Sequence, residues 1–392
     1  MSALFSPDTL NRARSLFPHT RQGKNYLNHA STSPLSSRVV NAMMKYLNNR
    51  SEGELETYWT DIKMVDDLRT LLAKLVNAES ADRIAFQVNT SDAINVVASG
   101  LPWKPGDSLI LNDIEFPANV YPYLNMKKSG VEIDTIRAVD GRITPDMIAS
   151  RIRPHTRLVA LSAVQYLSGH RADLKGIGEI CRSKGVVFAV DGIQAVGAVK
   201  LDVQDMKIDA LTAGAQKWQM GPHGSGFLYL TEELQAKLSQ ANLGWLSVED
   251  PWSFYKYDQP LAPSARRYEG GSLNMPSLHG LHAAISVLLE FGPEPIENHI
   301  LAITEILRKG LSDIKGLTVV TSYPDAERAG IVTVRLQEGI DGKELFHLIG
   351  KQNVFIALRE GQLRYSPHFY NSPDEMRQAI EVTRECIAAV RP

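Results

Sequence analysis

Only two cysteines occur in the 392 residues. Two thiols cannot build a disulfide framework or a cysteine-rich zinc site. Cys181 lies in "LKGIGEICRSKG" with Leu174 and Ile177 at helical spacing, so it reads as packing. Cys386, in "MRQAIEVTRECIAAV", reads the same way. An excess of either charge is also lacking. Lys and Arg number 42 against 44 Asp and Glu, a net charge of -2. That balance argues against nucleic acid or an acidic membrane surface as partner. No apolar run is long enough to span a bilayer. The start, "MSALFSPDTLNRARSLF", lacks the basic-then-apolar pattern of a secretory signal, so a cytoplasmic protein is expected. Internal repeats and low-complexity segments are absent. His279 and His282 in "HGLH" have helical spacing but no matching third ligand, so no metal site is expected.

What is present is an apolar fraction of 44%, enough for one large α/β domain and a smaller one. Ser6 and Pro7 read as the N-cap and first position of an amphipathic helix. From about residue 80, β-type runs alternate with helical stretches. The predicted strands are Ile84–Val88, Ser108–Leu111, Glu132–Arg137, Arg157–Ala163, Val186–Val190, Ala210–Ala213 and Gly226–Leu230. Helices are predicted over Ser91–Ser99, Ala118–Lys128, Pro145–Ile152 and Leu174–Lys184. The fold class is therefore α/β, with a mostly parallel seven-stranded sheet covered on both faces. A long helix, Leu278–Phe291, ends at Gly292-Pro293. Beyond it, short strands (Thr318–Thr321, Ile331–Leu336, Val354–Ala357, Gln362–Tyr365) alternate with helices. The expected division is a large domain, 20–293, and a small one, 1–19 with 294–392, since chain ends often lie close together.

Ligands of parallel sheets bind beyond the carboxyl ends of the strands. Five predicted strands end in polar or aromatic residues: Thr90 and Ser91, Phe116, Gln165, Asp191 with Gln194, and Gln216 with Lys217. Each has an ordinary explanation alone. Thr90 and Ser91 suit helix caps, Phe116 suits a core, and Lys217 suits a surface. Together they describe one ligand. A helix terminus with two hydroxyls takes a phosphate. An aromatic face stacks on a ring, and a carboxylate after "VVFAV" wants a cation. A half-desolvated lysine is a nucleophile. Pyridoxal 5′-phosphate needs all of these.

The chain resembles the class V aminotransferase-like branch of fold-type-I pyridoxal-phosphate enzymes, from "YLNHASTSP" to "LREGQLRYSPHFYNS". The branch includes cysteine desulfurases, kynureninase and isopenicillin-N epimerase. The resemblance implies that Lys217 in "QKW" forms the Schiff base and that Asp191 in "DGIQ" partners the pyridine nitrogen. It implies Thr90, Ser91 and Gln216 near the phosphate and Phe116 stacked on the ring. Gln165 and Gln194 would lie near the phenolic oxygen. "YEGGSLN" implies a homodimer in which Ser272 reaches the neighbouring site. Arg364 in "LRYSPHFYN" would hold the carboxylate of a small amino-acid substrate. His29 is a further substrate-side candidate, with Tyr58, Tyr166, His170, Arg171 and Arg359.

The departures from the pattern also carry information. Persulfide-forming desulfurases hold a loop cysteine shortly before this arginine, and "LREGQLRY" has none. Gln216 and Phe116 stand where desulfurases usually carry histidines. The expected activity is therefore class V aminotransferase-like chemistry at Cα. Cysteine or cystine C–S lysis and epimerisation are the alternatives within the fold, and a catalytically silent binding protein the alternative outside it. A nucleotide site at "GPHGSG" is disfavoured, because its glycines follow the lysine.

Overall fold

The computed structural model describes residues 3–390. Helix α1 (Pro7–Ser15) starts where predicted. Ser6 Oγ accepts from Thr9 N at 3.2 Å, and Pro7 opens the first turn, where its missing N–H costs nothing. A short strand, β1 (Asn25–Tyr26), follows, then α2 (Ser37–Ser51) and α3 (Tyr58–Val76).

The main sheet contains β2 (Ile84–Gln87), β3 (Ser108–Asn112), β4 (Glu132–Ile136), β5 (Thr156–Ser162), β6 (Val187–Asp191), β7 (Ala210–Gly214) and β8 (Gly226–Leu230). Their order is β2-β8-β7-β6-β5-β3-β4. Strand β8 runs antiparallel to both neighbours, and the other pairs are parallel. Since β8 opposes both β2 and β7, the six remaining strands point one way and share one carboxyl edge. The period-two alternation of a strand feeds two cores. Phe188 and Val190 join one hydrophobic cluster with Trp218 and Leu281, while Val187 and Ala189 join another with Ile94 and Leu228.

The covering helices are α4 (Thr90–Gly100), α5 (Tyr121–Leu124), α6 (Pro145–Ala149), α7 (Leu174–Lys184), α8 (Glu232–Lys237) and α9 (Met275–Phe291). The helix predicted over 118–128 is broken. A 3₁₀ turn (Pro117–Asn119), the four-residue α5 and another 3₁₀ turn (Asn125–Ser129) replace it. Pro117 and Pro122 are tolerated only in first turns, so each starts a new segment.

After α10 (Pro293–Ser312), a second sheet of order β12-β13-β10-β9 forms from β9 (Leu317–Val319), β10 (Val332–Leu336), β12 (Ala357–Arg359) and β13 (Gln362–Tyr365). The strand predicted over 354–357 divides: β11 (Val354–Phe355) pairs instead with β1. Helices α11 (Gly342–Lys351) and α12 (Pro373–Val390) cover this part, with a third hydrophobic cluster beneath them. The N-terminus is tied to it by Arg14, 2.7 Å from Glu375, and by Phe5, whose ring stacks 4.6 Å from His299. No described helix is long and apolar enough to cross a membrane.

Candidate active site

The carboxyl edge of the main sheet gathers most of the predicted residues. Asp191 ends β6 at 2% exposure, and its Oδ1 accepts from Ile193 N at 2.9 Å. Burial pushes its carboxyl up to about 7, nearby Glu115 adds to the shift, and Lys217 opposes it. Lys217 lies three residues beyond β7. Burial pushes its ammonium down to about 8, against the pull of Asp191, and Arg364 and Arg359 push the same way as burial. Lys217 Nζ sits 5.4 Å from the centroid of the Phe116 ring, over its face. The Tyr166 ring meets Phe116 edge-on at 5.3 Å.

The backbone around Lys217 is clamped. Ser33 N donates to Gln216 O at 2.8 Å, Ser33 Oγ donates to Lys217 O, and Met220 N donates to Lys217 O at 2.9 Å. Met220 takes a left-handed φ of 54°, a costly conformation for a residue with a Cβ, held in place by the bonds around it. A Cβ on Gly197 would come within 2.2 Å of Trp218 O, and Gly224 turns the chain back at φ 77°. Thr90 opens α4, and its Oγ1 accepts from Gly214 N at 2.9 Å, tying the helix terminus to β7. The cap itself is Asn89, whose Oδ1 accepts from Asp92 N at 2.9 Å. The hydroxyls of Thr90 and Ser91 are thus not needed as caps.

Arg364, on β13, is 2% exposed. It donates to Tyr166 O at 2.6 Å and to Ser31 Oγ at 2.8 Å, while its buried Nε has no partner. No described carboxylate pairs with it. Burial and the nearby Arg359 guanidinium push it down to about 10. Arg359 Nη2 reaches the same Ser31 oxygen at 3.1 Å. A buried guanidinium without a counter-ion is an anion site by its chemistry.

A family model for class V aminotransferases matches residues 25–372. The chain belongs to the class V aminotransferase family. It is accordingly a pyridoxal-phosphate-dependent enzyme. A probable cysteine desulfurase of Methanothermobacter thermautotrophicus is 30% identical over 382 residues, covering 92% of this chain and 94% of that one. An uncharacterized aminotransferase of Bacillus subtilis is 31% identical over 369 residues, covering 94% and 95%. The cysteine desulfurase of Thermococcus onnurineus NA1 has the same fold, with a TM-score of 0.88 at 24% identity over 99% of this chain and 100% of that one.

Several predicted residues of this class V aminotransferase lie elsewhere. His29 is fully buried, with Nδ1 2.8 Å from Ser366 O and Nε2 2.8 Å from Tyr370 Oη. Both nitrogens are engaged inside the core. Gln194 bridges Ala30 O (2.9 Å) and Trp218 Nε1 (2.8 Å), so both ends of its amide have partners within the chain. His170 is buried against Tyr323, and Arg171 pairs with Glu297. Tyr58 and the exposed Ser272 line a cavity of about 320 Å³ with Tyr46, Arg50 and Trp245, and Ser272 was expected to serve the neighbouring site, not that of its own chain. His279 and His282 pair with Asp61 and Asp67. Ser31, Ser33 and Glu115 were not predicted. The hydroxyl-rich run "ASTS" was the available signal for the serines, and a carboxylate inside "NDIEFP" was the signal for Glu115.

Proposed function

We propose that Lys217 carries the cofactor covalently and that the enzyme works at Cα of a small amino acid, as a class V aminotransferase. The observation that carries this reading is the buried Lys217–Asp191 pair beside an Arg364 that has no counter-ion. The residues fit the group. Thr90 and Ser91 offer hydroxyls at a helix N-terminus for the phosphate, with Gln216 beside them. Phe116 offers a face for the ring, Gln165 a polar contact at its edge, and Asp191 a carboxylate for its nitrogen. When bound, pyridoxal phosphate supplies an electron sink for the bonds at Cα.

The protein's own part is orientation and proton transfer. Arg364 fixes the substrate carboxylate through its planar fork. Lys217, with a pKa lowered by burial, is partly neutral near pH 8 and can take the proton from Cα. Return of the proton by Lys217 to the same face of Cα only regenerates the substrate; epimerisation needs a proton delivered to the opposite face of Cα, and transamination needs the proton moved off Cα. A second reading is C–S lysis. Cys181 and Cys386 are both buried, and burial pushes the Cys181 thiol up to about 12. Neither is suited to carry a persulfide, so sulfur would leave free.

We further infer a homodimer in which Ser272 serves the neighbouring site, and a domain division near Gly292. Borohydride reduction of the yellow holoprotein should fix the cofactor on Lys217, and Lys217→Ala should abolish both labelling and turnover. Colourless protein that takes up no added pyridoxal phosphate would refute the reading. Keto acid without sulfide from L-amino acids marks transamination, and pyruvate with sulfide marks lysis.

A further inference from the structure

Glu115 precedes Phe116 in the turn after β3 and is 9% exposed. Its carboxylate accepts five hydrogen bonds. Oε1 receives Asn112 Nδ2 at 2.7 Å, Ser162 N at 2.8 Å and Gln165 Nε2 at 2.9 Å. Oε2 receives Ser162 Oγ and Asn119 Nδ2, the latter at 3.1 Å. All five donors are neutral. Five donors converge on its two oxygens, so the carboxylate acts as acceptor toward every one of them. Gln165 therefore has to turn its nitrogen toward Glu115. Its other end, Oε1, is buried and has no partner. An unpaired buried carbonyl oxygen is costly until it receives a donor.

We propose that Glu115 is a positioning residue that holds Gln165 with its carbonyl oxygen toward the bound group, so that this wall accepts a hydrogen bond instead of donating one. The proposal rests on the cofactor site described above. It gives a direction to the role expected for Gln165, which was a place near the phenolic oxygen. The titratable and charged groups around the wall are Asp191 from β6, Lys217 from the turn after β7, the neutral phenol of Tyr123 from α5, and Arg364 with Arg359 from the second sheet. Burial raises both Asp191 and Tyr123, and Glu115 adds to each shift. Asp191, Glu115 and Gln165 Oε1 together favour a protonated ligand.

The test is a pH titration of the visible absorbance of holoprotein. Glu115→Gln should lower the midpoint by about one pH unit, the scale of losing one nearby charge. Gln165→Leu should lower it by less, and Glu115→Asp, which keeps the carboxylate, should stay near wild type. If Glu115→Gln and Gln165→Leu both titrate like wild type, the proposal is wrong. Should Glu115→Gln fold poorly, selective ¹⁵N-glutamine labelling decides. The Gln165 side-chain amide, identified by its loss in Gln165→Leu, should be protected from exchange. Rapid exchange would overturn the proposal. The labelling experiment works on cofactor-free protein, so failure to bind pyridoxal phosphate would count against the cofactor reading alone.

Discussion

At Lys217 and Asp191 the same burial acts in opposite directions, because desolvation disfavours whichever form is charged. It pushes the lysine down to about 8 and the aspartate up to about 7. Asp191 has a pH signature in cofactor-free protein. Its folded value lies above the ordinary carboxylate value near 4. Between about pH 4 and 7 the folded chain keeps a proton that the unfolded chain has lost. Stability from this group is thus complete below pH 4 and declines as pH rises to 7, by at most about 1.4 kcal/mol per unit. Urea denaturation of cofactor-free wild type and Asp191→Asn should show wild type losing ground to the variant across that window. A constant difference would mean that Asp191 does not titrate there. The residue types at this site were legible from the chain, because charged groups at the ends of apolar strands are rare without a ligand. The burial of His29 was not, since both of its partners, Ser366 and Tyr370, are more than three hundred residues away.

At the scale of elements, strands and turns set the lysine's position. Gly197 is required because Trp218 O occupies the space of a side chain, at a φ of 100°. Gly197→Ala should cost about 2–4 kcal/mol and weaken cofactor attachment, because the clash falls next to Lys217. Gly23 also has a positive φ, of 67°, but nothing lies within 4 Å of its Cβ position. Gly23→Ala should cost only about 1–2 kcal/mol and leave attachment intact. Urea midpoints of the two variants make the comparison, and equal losses would contradict the packing argument. The strands of the main sheet were readable as continuous apolar runs because both faces are covered. The helix expected over 118–128 is broken because Pro122, inside that range, restarts the backbone at α5.

For the whole molecule, the proposed homodimer predicts complementation between two defective chains. In a hybrid of Lys217→Ala with Ser272→Ala, one site combines an intact Lys217 with the partner's intact serine. That hybrid should retain more cofactor than the Ser272→Ala homodimer, and its sedimentation mass should be twice the 43.4 kDa chain. If Ser272 acts within its own chain, no site is restored. The alternation of strands and helices and the candidate lysine and aspartate were legible in the sequence, because apolar periodicity and a charge at the end of an apolar run are local properties of a chain, whereas Arg364 was reached only through the family resemblance. Only the tertiary structure decided which polar residues face the crevice and which are consumed in the core. Gln194, His29 and Thr90 differ in partners brought from distant segments. The Gln165 amide nitrogen is likewise held by Glu115, through a hydrogen-bond network that exists only once β3, the 3₁₀ turn Pro117–Asn119 and β5 have packed together.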